Sequence, residues 1–308
     1  MKILTVVVIA FFLFEKINAL ENKIIIKINN QIITSVDLKN EQQYLYAMNT
    51  SVRSFTKKEV YEIAKKSLIA EKIKEIDISK YYKLSDVSDE YVKDILKKLM
   101  KSKNFQNEKE YKQFLIENSL DYRVIEKKIR LQVAWNNLIQ TKYLNKIVIN
   151  EDEIRKKIKE NIKNSSTQIS YNLSEIFFTP KIKDDVDKIL NIIEQRIRDQ
   201  SFESAATFYS VSDSASNGGK IGWVDEINLS KEIRKNIKNL KVGEYSKPIA
   251  IVGGYLILMI NNKKSQIEKI NEDEQFKKYI EYEKTKQLNI FSKIYYSKLK
   301  INININEK

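Results

Sequence analysis

Apolar residues recur at helical spacing through the first half of the chain, once the N-terminal segment is passed. In the segment 57–76, for example, Val60, Ile63 and Ile73 fall near one face of a helix. Residues 20–179 contain neither glycine nor proline, the two strongest breakers of regular structure. The spacing predicts six helices, at residues 35–48, 57–76, 88–102, 108–118, 121–144 and 151–163.

Capping boxes mark the starts of several of these helices. In a capping box, Ser, Thr, Asn or Asp accepts from the backbone of an acidic residue three positions later, whose side chain reaches back. The pairs are Thr34/Asp37, Thr56/Glu59, Asn107/Glu110 and Asn150/Glu153.

Short β-strands are predicted before the first helix and at the C-terminus. Residues 23–28 and 31–33 are rich in isoleucine and flank Asn29-Asn30, which suits a hairpin turn. Residues 299–305 alternate strictly between apolar and polar, as a strand with one buried face does. Because an isolated hairpin is only marginally stable, we expect this strand to join it and the preceding helix, 271–297, to dock on the N-terminal helices.

Residues 168–263 have a different, mixed pattern. They contain all six glycines and both prolines of the chain, and short apolar runs alternate with amphipathic segments. Strands are predicted at 168–179 and 253–260, and helices at 184–199, 202–209 and 229–240. Gly218-Gly219 lacks the spacing of either nucleotide-binding motif, so a turn is predicted there.

Composition narrows the chemistry. The chain has no cysteine and no histidine, which excludes disulfides, thiolate nucleophiles, zinc fingers and imidazole catalysis. We expect no cofactor, and no metal site, since the carboxylates match no ligand motif. The net charge of +14 is spread along the chain without a nucleic-acid motif, so a solvated basic surface is expected and no nucleic-acid partner.

The first residues have the layout of a secretory signal peptide. A basic start, Met1-Lys2, precedes an apolar run at 3–14 and a polar segment that ends at Ala19. The run is short for a membrane span, which needs about 20 residues. We therefore expect export with cleavage near Ala19 and no stable membrane span afterwards. Retention of the segment as an anchor stays open.

A series of motifs in the second half resembles the parvulin family of peptidyl-prolyl isomerases. These are Phe202-(x)2-Ala205-Ala206, Tyr209-Ser210, Gly218-Gly219-x-Ile221-Gly222-Trp223, Val242-Gly243-Glu244-x-Ser246-x-Pro248 and Gly254-Tyr255. The segment Asn22–Thr34 resembles the start of the SurA family of periplasmic chaperones, and residues 68–72, 87–90 and 147–151 resemble later parts of its helical module.

The resemblance implies an α+β architecture in which a parvulin domain, a small antiparallel sheet flanked by helices, is inserted into a helical chaperone module. The implied division is 1–19 signal peptide, 20–164 N-terminal helical chaperone domain, 165–264 parvulin-like domain, and 265–308 C-terminal helix and strand packed back on the N-terminal domain. It also implies location in the periplasm and unfolded outer-membrane proteins or extended polypeptides as partners.

The catalytic positions of active parvulins are not matched. Such enzymes resemble one another in two histidines and a Cys or Asp, and the corresponding positions here are Glu175, Ser212 and Leu256. The isomerase site is therefore expected to be degenerate. Leu229 and Ile233 fall where the family has an apolar proline pocket, so they are candidates for a peptide groove. Ordinary core packing is the alternative for both, because Leu and Ile are often fully buried.

Three functions remain open at this point. The first is a periplasmic chaperone that holds unfolded outer-membrane proteins. The second is an active isomerase that uses Ser212, Asp213 or Glu175 in place of imidazole, since well-placed hydrogen bonds can lower a barrier. The third is a structural partner of an envelope complex without a client role.

Overall fold

A computed structural model describes residues 22–164, 168–180, 186–266 and 271–308. The expected signal peptide, residues 1–19, lies outside these ranges. Within them, no helix combines the length and the apolar character needed to cross a membrane.

The helices follow the predicted pattern closely. They are α1 Ser35–Met48, α2 Lys57–Ile78, α3 Asp89–Ser102, α4 Glu108–Glu117, α5 Tyr122–Tyr143, α6 Glu151–Asn164, α7 Val186–Asp199, α8 Phe202–Tyr209, α9 Lys231–Ile237 and α10 Glu272–Ile301. Both threonine capping boxes are formed, at Thr34 and Thr56. Asn107 and Asn150 also accept from the predicted acidic residues, so local chemistry fixes where these helices begin.

The strands form two separate antiparallel sheets. They are β1 Ile24–Ile28, β2 Gln31–Thr34, β3 Gln168–Phe178, β4 Lys220–Asp225, β5 Ile249–Ile251, β6 Gly254–Gln266 and β7 Ile305–Glu307. The first sheet has the order β2-β1-β7 and the second the order β4-β3-β6-β5.

The chain closes on itself as the sequence predicts, because β7 pairs with β1 beside the N-terminal hairpin. The predicted extent of this strand, 299–305, is wrong. Helix α10 continues to Ile301, and the strand begins only at Ile305. Leu299 packs against two clusters of buried apolar side chains in the helical module. This tertiary packing outweighs the local alternation of apolar and polar residues.

The second sheet carries helices on both faces. Ile176 and Ile257 face α7 and α8, where they pack with Ile193 and Phe202. The other face packs against the segment that contains α9, through Leu229 and its neighbours. The fold is thus α+β, with a helical module and an antiparallel domain inserted between α6 and α10. Strand β6 runs two residues past 264, and the exact domain boundaries stay predictions.

Several contacts join the inserted domain to the helical module. On one side, the Asn49 amide donates to Thr207 Oγ1 and to the Ser216 carbonyl, both at 3.0 Å. On the other side, Ile227 packs in a cluster with Ile158 of α6 and Tyr279 of α10.

A buried charge cluster joins three helices of the module. Lys128 of α5 lies 2.6 Å from Glu41 of α1 and also pairs with Glu71 of α2. Ser67 donates to Glu41 at 2.7 Å, and the Lys128 ammonium lies 4.4 Å from the ring centre of Tyr44. A lysine with two carboxylates and a ring face therefore ties α1, α2 and α5 together.

We expect the folded chain to lose stability above about pH 10. Burial lowers the pKa of Lys128, but Glu41 and Glu71 outweigh it and hold the pKa above its ordinary 10.5. Burial and a hydrogen bond to Asp77 raise the pKa of Tyr295 above 10.0. A raised folded-state pKa contributes stability that is fully present below the unfolded value and lost as pH rises through the folded one.

The free energy of unfolding, measured by urea titration, should therefore hold steady to about pH 10 and then fall as unfolded Lys and Tyr release protons. Tyr295→Phe should make this decline shallower. A free energy that rises above pH 10 would contradict the expectation.

Candidate functional site

The sequence-predicted site residues lie on one face of the second sheet. Glu175 and Phe177 are on β3, opposite Leu258 and Leu256 of β6. Ser212 follows α8 and is almost fully buried. Glu175, Ser212 and Leu256 come from separate parts of the sequence, and the sheet and the turn after α8 place them on the same side of the domain.

A chain of hydroxyl groups links Ser212 to Glu175. Ser210 Oγ and Ser212 Oγ are 2.9 Å apart, and Ser212 Oγ and Ser214 Oγ are 2.6 Å apart. Ser214 then donates to Glu175 Oε1 at 2.9 Å. We call Ser210, Ser212, Ser214 and Glu175 the serine relay.

The direction of the relay is fixed at both ends. Ser210 Oγ accepts from the backbone N–H groups of Phe177 and Ser212, at 3.0 and 3.3 Å, which occupies both of its lone pairs. Its own hydrogen therefore goes to Ser212. A carboxylate only accepts, so Ser214 donates to Glu175 and Ser212 donates to Ser214. Every hydroxyl hydrogen of the relay is used within it.

Leu256 lies in an apolar cluster instead of a polar network. It is 6% exposed and packs with Phe177, Leu258 and Leu229. Leu229 is buried in this cluster, and Ile233 of α9 is half-buried at its edge. The two groove candidates thus adjoin Leu256, as a shared apolar wall requires. Their contact with a peptide stays a prediction.

Helix α10 of the helical module faces this site. The Lys293 ammonium lies 4.2 Å from the ring centre of Phe177. Burial raises the pKa of Tyr282 to about 12, and the charges of Glu283 and Glu175 add to this effect. A peptide bound at the sheet face would therefore meet α10 as well.

The turn before β4 holds Glu175 in place through its backbone. The Glu175 N–H donates to the Gly219 carbonyl at 2.7 Å. Gly219 has φ +77°, and a Cβ there would lie 2.3 Å from the Glu175 carbonyl oxygen and 2.8 Å from Ala206 Cβ. Only glycine fits such a position without rearrangement.

We expect Gly219→Ala to lower the free energy of unfolding by about 2 kcal/mol, through backbone strain and overpacking. Gly222→Ala is the matched control. Gly222 has a similar φ of +84° with nothing within 4 Å of the added Cβ. Its cost should be strain alone, about 1 kcal/mol. Equal losses for the two variants in urea titrations would show that the close approach to Glu175 has no energetic weight.

Sequence reasoning did not assign Ser210, Ser214 or Lys293 to the site, although Ser210 stands in one of the motifs. The alternation of serine at 210, 212 and 214 is visible in the sequence and could have indicated a relay. Nothing local indicates Lys293, which reaches the site through tertiary packing. In the part of the chain that the structure describes, no group of three acidic side chains is placed to hold a metal ion.

Comparison with known domain families identifies the inserted domain. Residues 169–262 match the rotamase family described as the PPIC-type PPIase domain. The match includes nearly all of β3, the serine relay, α9 and most of β6. The fold expected from the motifs is therefore confirmed for this part of the chain.

Similar proteins extend the likeness beyond that domain. Chaperone SurA of Pseudomonas putida is 22% identical over 178 residues, which are 56% of this chain and 42% of that protein. Foldase protein PrsA of Oceanobacillus iheyensis is 32% identical over 93 residues, 30% of this chain and 31% of that protein. The chain spans about two-fifths of the length of the Pseudomonas protein.

A solved structure of the SurA-like chaperones PEB4 and Cj1289 of Campylobacter jejuni covers 93% of this chain and 99% of its own. It has 16% sequence identity and a TM-score of 0.37.

Proposed function

We propose that this chain, which carries a PPIC-type domain and is similar to SurA chaperones, is a periplasmic chaperone. Its clients are unfolded outer-membrane proteins, held as extended polypeptides. Its parvulin-like domain binds peptide without isomerising prolyl bonds. The expected signal segment at residues 1–19 and the similarity to Chaperone SurA support export to the periplasm.

The direction of the serine relay is the observation that supports peptide binding without isomerisation. Rotation about a peptide bond has a barrier of about 18–20 kcal/mol, set by amide resonance. A site lowers it by stabilising a twisted amide, and donors aimed at that amide are the usual means. Here the Ser212 hydroxyl donates its hydrogen to Ser214, Glu175 only accepts, and the Leu256 side chain has no polar atom. None of the three is therefore aimed as a donor at a bound amide.

Exposed apolar side chains on the helical module support the proposed chaperone function. Unfolded clients bind to apolar surface that is accessible and rimmed by polar groups. The module exposes several large apolar side chains to solvent, namely Tyr81, Tyr91, Ile116, Leu144 and Val148. Aromatic and aliphatic groups of this kind suit clients of varied sequence, because they need no preorganised pocket.

The test is an aggregation assay with an unfolded β-barrel outer-membrane protein diluted from urea. Residues 20–308 at equimolar amounts should slow the rise of light scattering. A folded basic protein of similar net charge serves as control, since charge alone could delay aggregation. Unchanged scattering with this chain, or equal protection by the control, would contradict the proposal.

An active isomerase is the second candidate, and one observation favours it. Ser212 occupies the position where active parvulins have Cys or Asp, and the relay holds its oxygen in a defined orientation. A proline-limited refolding assay discriminates the two, because uncatalysed isomerisation takes tens of seconds and an enzyme shortens that phase at substoichiometric amounts.

A further inference from the structure

Strand β4 leaves one edge of the second sheet open. It is the terminal strand in the order β4-β3-β6-β5, and among the described residues no strand pairs with its outer side. An edge strand presents backbone N–H and C=O groups to any extended chain that approaches. Native proteins usually blunt such edges with charges, bulges or covering elements.

Two large apolar side chains stand on this open strand. Ile221 and Trp223 are 41% and 46% exposed; Ile221 lies at an irregularity in the pairing with β3, and Gly222 between them has φ +84°. The other tryptophan of the chain, Trp135, lies in the helical module and is 0% exposed. An exposed tryptophan beside an unpaired edge is a feature of recognition surfaces, where an aromatic ring supplies contact area at small entropic cost.

The charge around this edge is positive. Lys220 begins the strand, Lys263 and Lys264 are exposed on the β6 side, and the Lys264 ammonium lies 4.8 Å from the ring centre of Trp223. Two acidic side chains lie at the end of the strand, and both accept hydrogen bonds from β3: Asp225 from Ser170 at 2.6 Å and Glu226 from Tyr171 at 3.1 Å.

A second lysine near Lys220 adds to this field. Burial lowers the pKa of Lys103 at the end of α3, and the nearby charge of Lys220 lowers it further. Lys103 donates to the Met48 carbonyl at 2.6 Å, a neutral acceptor. A carboxylate brought to this region would relieve repulsion that the free protein keeps.

We propose that the outer edge of β4 receives an extended segment of a client, which adds to the sheet as one more strand and carries acidic side chains toward Lys220 and Lys264. Apolar side chains of that segment would then pack on Trp223 and Ile221, as side-chain contacts do in other cases of strand addition. The inference rests on the proposed function, because it assigns one place where an unfolded polypeptide is held.

Tryptophan fluorescence tests this directly in the mature chain, residues 20–308. Acrylamide reaches the exposed Trp223 and not the buried Trp135, and Trp223→Phe confirms the source of the signal. The probe is a synthetic peptide that alternates Val and Thr and carries Glu at two of the polar positions. It should shift the emission to shorter wavelength and reduce acrylamide quenching about twofold.

Two altered peptides separate the backbone and charge contributions. Lys in place of Glu should weaken binding about tenfold at low salt, because the field then repels the peptide. N-methylation at every second residue should abolish binding, since it removes the strand hydrogen bonds. Equal binding of all three peptides would overturn the proposal.

A second measurement is photocrosslinking from a photoreactive amino acid that replaces Ile221. The same amino acid in place of Ile192 is the matched control. Ile192 is 52% exposed on α7 of the same domain. Unfolded β-barrel protein should crosslink at 221 well above 192. If aggregation is suppressed while crosslinking is equal and Trp223 is unprotected, the β4 proposal fails and the chaperone proposal stands. Protection of Trp223 that grows with protein concentration alone would assign the edge to a second copy and also overturn it.

Discussion

Replacing Lys128 with methionine is expected to lower the free energy of unfolding by about 4 kcal/mol. Glu41 is 3% exposed at its side chain, and Lys128 is the cation that lies 2.6 Å from it. Removal of one partner leaves a carboxylate in a site that water reaches poorly, and the cost of that uncompensated charge exceeds the value of the pair itself. Glu71 loses its nearest cation at the same time.

Urea titration at neutral pH measures this loss. Lys112→Met is the matched control, because Lys112 pairs with Glu108 at 2.7 Å in an exposed position on α4. Its cost should be about 0.5 kcal/mol or less. Adding Glu41→Gln to Lys128→Met should restore part of the stability, since the second change removes the stranded charge. Equal losses for Lys128→Met and Lys112→Met would contradict the assignment of a buried charge cluster.

Replacing Arg196 with alanine is expected to separate the inserted domain from the helical module, with a loss of about 3 kcal/mol. The Arg196 guanidinium on α7 pairs with Glu59, the third residue of α2. It also lies 4.9 Å from the ring centre of Phe55, 4.5 Å from that of Phe208 and 5.5 Å from that of Tyr209. One side chain thus joins an ion pair and three aromatic faces at the contact between the two parts.

The readout is the number of unfolding transitions together with limited proteolysis. The parent chain should unfold in one step, and Arg196→Ala should show two steps and faster cleavage in the segments that join the domain to α6 and α10. Arg198→Ala is the control, because Arg198 is exposed on the same helix and its contacts with Glu194 and Gln195 stay within that helix. Parallel behaviour of the two variants would show that Arg196 does not hold the domain.

The helical module is the part of the fold that the sequence predicts best. Its helices begin at polar residues whose capping hydrogen bonds are local, as at Thr34 and Thr56, so the signal lies within four residues. The prediction of a strand at 299–305 was wrong because Leu299 is held in α10 by packing against distant helices. Alternation cannot reveal a tertiary contact of this kind.

The candidate site shows the same limit. The motifs place Glu175, Ser212 and Leu256 at equivalent positions of a parvulin domain, and the matched family spans all three. The partner of Glu175 is Ser214, and the direction of the relay depends on backbone N–H groups of Phe177 and Ser212. Hydrogen-bond direction is a property of the assembled structure, so the sequence alone left the chemistry of the site open.

Docking of the two parts was also beyond the sequence. Asn49, which directly follows α1, appears unremarkable in the chain, yet its amide donates to Thr207 of the inserted domain. Arg196 lies on an amphipathic helix where an arginine is ordinary. Both residues gain their roles from partners more than 130 positions away in the chain.

The central claim is that the parvulin-like domain binds polypeptide and leaves prolyl bonds unchanged. Its most direct test is refolding of a substrate whose slow phase is limited by prolyl isomerisation, with catalytic amounts of residues 20–308. Because every hydroxyl hydrogen of the serine relay is donated within the relay, we predict that the rate of the slow phase is unchanged. Acceleration at substoichiometric amounts, lost in Ser212→Ala, would contradict the claim and establish an isomerase built on hydroxyl groups.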